Sequence, residues 1–261
     1  TYTLGSSFLV EEPTPGRDFY IPGKFIGSFN GAGYTISGLT KPLFESIGDQ
    51  SGPVPIVGIV IDLSLSTKEF TQDDPTDSST RSGGAQGYGV LANALNAGSN
   101  AENIFVSGGL TAPSPLEIDW NHQVGGLVGE NYGTISSSIS DVNVFGYEGV
   151  GGLVGLNGTV VGNDTEGNQV ICYTGEVKDS TSSGQVSGQY NVGGLVGENL
   201  GIIKSSSVSG ASIGVWVDNF SDSVGGLVGW NESQFLTNLD ASKTEVKGLI
   251  SNSLASGSVT G

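Results

Sequence analysis

Apolar and polar residues alternate along this chain in short runs, broken by glycine, asparagine and serine. Runs of about four to six residues at period two predict strands rather than helices. The stretch GGLVGENYGTISSSISDVNVFGYEGV holds two or three such runs. The longest apolar stretch, VPIVGIVIDLSLS from Val54, reads as a strand as well.

One block recurs almost unchanged. VGGLVGE, VGGLVGL, VGGLVGE and VGGLVGW begin at Val124, Val150, Val192 and Val224. Their first glycines, Gly125, Gly151, Gly193 and Gly225, are 26, 42 and 32 residues apart. An asparagine follows each block, at Asn131, Asn157, Asn199 and Asn231, and in two copies a glycine comes two residues later, at Gly133 and Gly201. The unit is GGLVGxNxGxIxxSxxxGxVxGxxxV with variable insertions.

Stacked coils explain this unit. A single coil cannot bury its apolar face, whereas coils piled about 4.8 Å apart can. Leu127, Leu153, Leu195 and Leu227 then form one internal column. Asn131, Asn157, Asn199 and Asn231 form a corner ladder in which each amide bonds to the next. Glycine weakens strands, but it allows tight corners, positive φ and close backbone approach. The expected fold class is all-β, a right-handed parallel β-helix (solenoid) with inserted loops, as a single domain over 1–261. The 26-residue unit is too short for a propeller blade, which takes about 40 residues. A β-sandwich with glycine-rich turns is the other competing all-β architecture.

Residues 1–123 read as irregular N-terminal coils: FIGSFNGAGYTISGLT from Phe25 is strand-sized and fits an earlier coil, and YGVLANALNAG from Tyr88 resembles a worn copy of the block. The stretch 66–87 is polar and acidic and reads as a loop off the wall. Residues 124–261 are the regular coils, with insertions expected at 162–183 and 232–247. The first contains VICYTGEV, a candidate hairpin, and the second FLTNLDASKTEVK, a candidate helical turn.

The blocks VGGLVGEN, NLGII and GQVSG resemble the GLUG repeat family. The leader resembles the segment that commonly precedes such repeats and begins a right-handed parallel β-helix. Phe25, Gly27, Phe29, Asn30, Gly31, Gly33, Ile36 and Leu39 match its pattern. The resemblance implies a large secreted or cell-surface protein. Adhesin-like proteins and non-catalytic regions of immunoglobulin A-cleaving metallopeptidases carry such repeats. It transfers no catalytic residue.

Charge narrows the partners. The formal net charge is −17, with 26 acidic side chains against 9 Lys and Arg. Nucleic acid and anionic membrane surfaces are repelled, and no membrane-inserting stretch is present. The single cysteine, Cys172, excludes an intrachain disulfide and reads as a small buried apolar residue. No metalloprotease, Walker or serine-hydrolase motif occurs.

The remaining chemistry is sparse. Hydrolysis of a polysaccharide needs paired carboxylates, and Asp119, Asp141, Glu148, Asp218 and Asp222 are available. His122, Glu148, Tyr190 and Asp222 each stand three residues before a first glycine. That column is a candidate acid–base or metal site, or simply a variable surface column. Calcium suits Asp73, Asp74 and Asp77 as hard oxygen ligands, although their spacing fits no defined loop; no other cofactor is expected. Trp120, Tyr147, Trp216 and Trp230 are the candidate ligand-binding residues, because exposed rings stack on sugars or anchor proteins. Trp230 shares its slot with Glu130, Leu156 and Glu198, and the mixed polarity predicts that this slot faces outward. The expectation is a non-enzymatic, extracellular adhesin or stalk segment of a longer surface protein, with a glycan or extracellular protein as partner. A β-helical glycoside hydrolase and an accessory domain of a secreted peptidase are the alternatives.

Overall fold

The computed structural model describes residues 1–11, 19–52, 54–68, 70–71, 87–112, 123–215, 222–237 and 243–260. All regular structure among them is β, in long parallel ladders. No described helix is long and apolar enough to cross a membrane.

From Gly87 onward each coil has three walls. The first stacks Gly87–Tyr88, Gln123–Gly125, Glu148–Gly151, Tyr190–Gly193 and Asp222–Gly225. The second runs from Ile21–Phe25 through Phe44–Ile47 and Ala92–Leu95 to Val128–Asn131, Val154–Asn157, Val196–Asn199 and Val228–Asn231. The third includes Gly58–Thr67, Asn100–Thr111, Ile139–Phe145, Ser207–Val215 and Leu254–Thr260.

The leucines are piled in register. The N–H groups of Leu91, Leu127, Leu153 and Leu195 each donate to the leucine carbonyl one coil on, at 2.9 Å, ending on Leu227. Leu91, Leu127, Leu153 and Leu195 are fully buried. At the N-terminal end the rings of Phe25, Phe29 and Phe44 fill the same interior, with Phe25 and Phe44 centred 4.8 Å apart.

The block glycines serve close approach. None of them has positive φ. A Cβ on Gly155 would lie 2.6 Å from the Val124 nitrogen, and one on Gly229 would lie 2.6 Å from that of Val192. The second wall therefore rests on the backbone of the first, with no side chain between them. Positive φ is supplied elsewhere. Asp62, Asn103, Ser137, Asp179, Ser205 and Asn252 adopt it where the third wall bends. Behind four of these bends a second ladder runs: Ser138 N–H donates to Ser180 Oγ, Ser180 N–H to Ser206 Oγ, and Ser206 N–H to Ser253 Oγ, each 3.2 Å. The serine of the repeat unit marked this column, but spacing alone assigned it no role.

The corner asparagines bond in series. Asn131 Nδ2 donates to Asn157 Oδ1 (2.8 Å), Asn157 to Asn199 (2.8 Å) and Asn199 to Asn231 (2.7 Å). Asn231 Nδ2 ends the series on the Gly248 carbonyl, and Gly133 N–H donates to Asn131 Oδ1 at the other end. One coil earlier the slot belongs to Leu95, opposite Asn131. Asn96 lies one residue out of step and donates to the Gly48 carbonyl.

Four expectations need correction. The stretch 66–87 begins in strand: Gly58–Thr67 includes Ser66, and the buried Phe70 starts a short strand beside Leu110. An apolar ring that completes the core outweighs the polar composition around it. The first insertion is a hairpin as expected but with other bounds than 162–183: Thr159–Asn163 pairs with Gln169–Thr174, and the chain is back on the wall by Glu176, which pairs with Thr134. The second is also a hairpin, Ser233–Thr237 against Lys243–Lys247, where a helical turn was expected. The β-branched and aromatic residues of SQFLT and KTEVK favour an extended pair. Cys172 is exposed on the first hairpin, outside the core.

Both hairpins leave directly after a ladder asparagine and skip the coil between them. Two coil rises amount to about 9.6 Å, close to the ~10 Å of sheets packed face to face. The hairpins touch, with Thr159 Oγ1 donating to Gln234 Oε1 at 2.9 Å, and Leu236 is buried at this junction side of its strand.

Candidate functional site

The side chains with the richest chemistry gather where the first and second walls meet. In the first wall, Glu148 pairs with Tyr190 and Tyr190 with Asp222. Gln123, not His122, is the residue opposite Glu148, because the register shifts by one between Gln123 and Val124. The expected column of His122 with Glu148 is thus displaced, and His122 itself lies outside the described residues. Gly149, Asn191 and Ser223 all take positive φ just before the Val150, Val192 and Val224 column. Asparagine tolerates this conformation better than most residues, and the bulge directs its amide across to the second wall. Asn191 Nδ2 donates to Glu198 Oε1 at 2.6 Å.

Glu198 takes a second amide. Gln123 Nε2 approaches Glu198 Oε2 at 3.5 Å, and the Gln123 side chain lies in the space left by Gly149. Gln123 and Glu198 are each 8% exposed. Gln123 Oε1 is buried without a hydrogen-bond partner. The slot of Glu130, Leu156, Glu198 and Trp230 is continuous, as its spacing predicts. It does not face uniformly outward. Glu130 is buried and accepts a hydrogen bond from the Tyr132 hydroxyl (3.1 Å), whereas Trp230 is 45% exposed. Amide and hydroxyl donors make burial of the two glutamates tolerable.

The electrostatics are those of carboxylates without cations. Burial, then the neighbouring Glu198, pushes the Glu148 carboxyl up to about 7. Glu198 is raised by burial and by Glu232, against the lowering effect of its amide donors, and Glu232 is raised by burial. Among the described residues the ion pairs engage Lys24, Lys204 and Lys247, all away from this seam. The Glu198 partner of Glu148 escaped the sequence reading, although the recurring acidic residue before the ladder asparagine signalled it.

Two candidate aromatics flank the seam. Tyr147 is half-buried and meets Tyr190 edge to face, with centroids 5.4 Å apart, and Trp230 pairs in strand register with Glu198. Trp120 and Trp216 lie outside the described residues, as do Asp73, Asp74 and Asp77 and the carboxylates Asp119 and Asp218. Asp141 is exposed and accepts from Ser183 Oγ, on the far wall.

These raised carboxyls set a pH dependence. A carboxyl whose folded pKa exceeds its unfolded value keeps its proton in the fold after the unfolded chain has lost it. Stability therefore falls as pH rises from about 4.5 to about 7. Asp49, held down to about 2 by Lys24 and Ser51, acts oppositely, losing its contribution as pH falls below about 4. With solvent access to Glu148 allowed for, the loss between pH 5 and 7.5 is about 1 kcal/mol, or roughly 2 to 4 °C in Tm. Thermal melts across this range should show that decline, and Glu148→Gln should flatten it.

The sequence model for the GLUG motif matches residues 121–148 and 188–214. The segments contain the Gly-rich blocks that begin at Val124 and Val192. The coils that contain them share their ladders with the unmatched coils at Val150 and Val224. Among curated proteins, none matches the chain. A solved structure titled "IgA1 Protease" matches 88% of this chain with a TM-score of 0.52 and 19% identity. The match spans 19% of that protein's chain, and the likeness is one of fold.

Proposed function

We propose that this GLUG β-helix is a non-catalytic, extracellular surface scaffold that presents the seam and its hairpins to a glycan or protein. The observation that carries the reading is the exposed Trp230 ring in strand register with Glu198 of the acidic seam. A stacked core with two side-chain ladders holds these groups on a rigid wall, which limits the ordering cost of binding. The resemblance of the fold to a fifth of an IgA1 Protease chain supports a place within a larger secreted protein, either as a stalk or beside a catalytic region. Hydrolysis by the Glu148–Glu198 pair is disfavoured, because Glu198 is buried and its oxygens are engaged by Asn191 and Gln123.

A glycan and extracellular-matrix array is the test. A ligand found there should bind Trp230→Ala at least about tenfold more weakly, in line with the loss of an aromatic anchor. The melting temperature should stay within about 2 °C, as for a surface change. Equal affinity of the variant and the parent removes Trp230 from the binding surface.

A further inference from the structure

The seam contains a buried acceptor that nothing described satisfies. Gln123 Oε1 has no partner, although its amide is more than nine-tenths buried and its Nε2 is turned to Glu198. Orphaned buried acceptors are uncommon in folded proteins. Here Gln123 stands opposite Glu148 in the first-wall register, its amide lies against Gly149, and its Nε2 faces Glu198. Among the described residues the ion pairs of Lys24, Lys204 and Lys247 are made away from this seam.

We propose that Gln123 Oε1, Glu148 and Glu198 bind one divalent cation of the calcium type at the meeting of the first and second walls. Two carboxylates balance its charge, and the amide carbonyl supplies the neutral oxygen that calcium sites commonly include. Calcium suits this set better than magnesium, because its coordination tolerates irregular geometry and variable ligand number. Among the described residues no three acidic, histidine or cysteine side chains converge to hold a metal. The protein thus contributes few ligands, water completes the shell, and the affinity falls in the weak range of extracellular modules, about 0.1–1 mM. The fold builds the place for it. Gly149 leaves the space in which the Gln123 amide lies, and the positive φ of Asn191 brings its amide onto Glu198, which fixes that carboxylate. The site is distinct from the aspartates at 73, 74 and 77 and is independent of the scaffold reading.

Isothermal titration of the purified chain with calcium chloride near neutral pH and about 0.15 M salt, where surface charges are screened, tests this. One saturable site is expected. Glu148→Gln and Glu198→Gln should each weaken it at least about tenfold, and Asp164→Asn, on the first hairpin, should leave it unchanged. Gln123→Met keeps the shape and the charge but removes the carbonyl. A several-fold weakening in that variant separates ligation from general attraction to an acidic surface. If Glu198→Gln fails to fold, Glu148→Gln and Gln123→Met carry the test. Absence of saturable heat up to about 10 mM, well above the expected range, overturns the site. So does undiminished binding in Glu148→Gln and Gln123→Met, which would place calcium elsewhere on the chain.

Discussion

Replacing Asn199 with leucine is expected to destabilise the fold by about 3 to 5 kcal/mol, because it opens two buried hydrogen bonds at once. Asn157 Nδ2 loses the closer of its two acceptors and keeps only the Ile202 carbonyl at 3.3 Å, and Asn231 Oδ1 loses its donor. Leucine fits a slot of this kind, since Leu95 occupies it one coil before Asn131. The damage therefore comes from the stranded neighbours and not from size. The end of the series behaves alike: Asn131→Leu breaks one amide-to-amide link and also takes the acceptor from the buried Gly133 N–H. Chemical denaturation of Asn131→Leu, Asn157→Leu and Asn199→Leu should show a large loss at all three positions. Equal and small effects at all three would mean that the amide series contributes little to stability.

Alanine at Gly197 should be at least as damaging, about 3 kcal/mol or more, because the added methyl meets backbone that cannot rotate away. Its Cβ would overlap the Gly149 carbonyl carbon and lie 2.6 Å from the Val150 nitrogen. The first and second walls would have to separate there. Gly109→Ala is the matched control, since the nearest atom to its Cβ is 3.9 Å away. Melting of both variants decides the matter. Comparable Tm values would show that the walls can part at little cost, and the explanation for the Gly-rich block would fail.

The repeating parts of this fold could be read from the chain because stacking converts sequence period into spatial column. Leu127, Leu153, Leu195 and Leu227 had to share one side of every coil, and the asparagine six residues after each first glycine had to share one corner. Even the worn copy at Tyr88 is in step as far as Leu91, which bonds to Leu127. Reading failed where a column carries different residues or where chain is inserted into it. The glycine two residues after the ladder asparagine is missing from two copies of the motif. In space it is present, as Gly175 and Gly248, because each hairpin is inserted between the asparagine and its glycine. Their following residues pair in line: Glu176 with Thr134 and Ile202, then Ile202 with Leu249.

The seam was harder to see. Its members come from different walls and different coils, and the one-residue shift at Gln123 replaces the expected histidine by an amide. No linear spacing reveals that Asn191 and Gln123 converge on Glu198. The exposed Trp230 and the half-buried Tyr147 were marked by residue type, but their relation to the acidic pair follows from pairing across the ladder.

The two hairpins start from closed bases. Gly175 N–H donates to the Gly158 carbonyl and Gly248 N–H to that of Glu232, so the chain returns to the corner it left. What happens beyond those closures is invisible to the stacked walls. Lineages carrying this architecture can therefore exchange, lengthen or delete the protruding segments without retuning the interior, and variation under selection should concentrate there while the corners stay fixed.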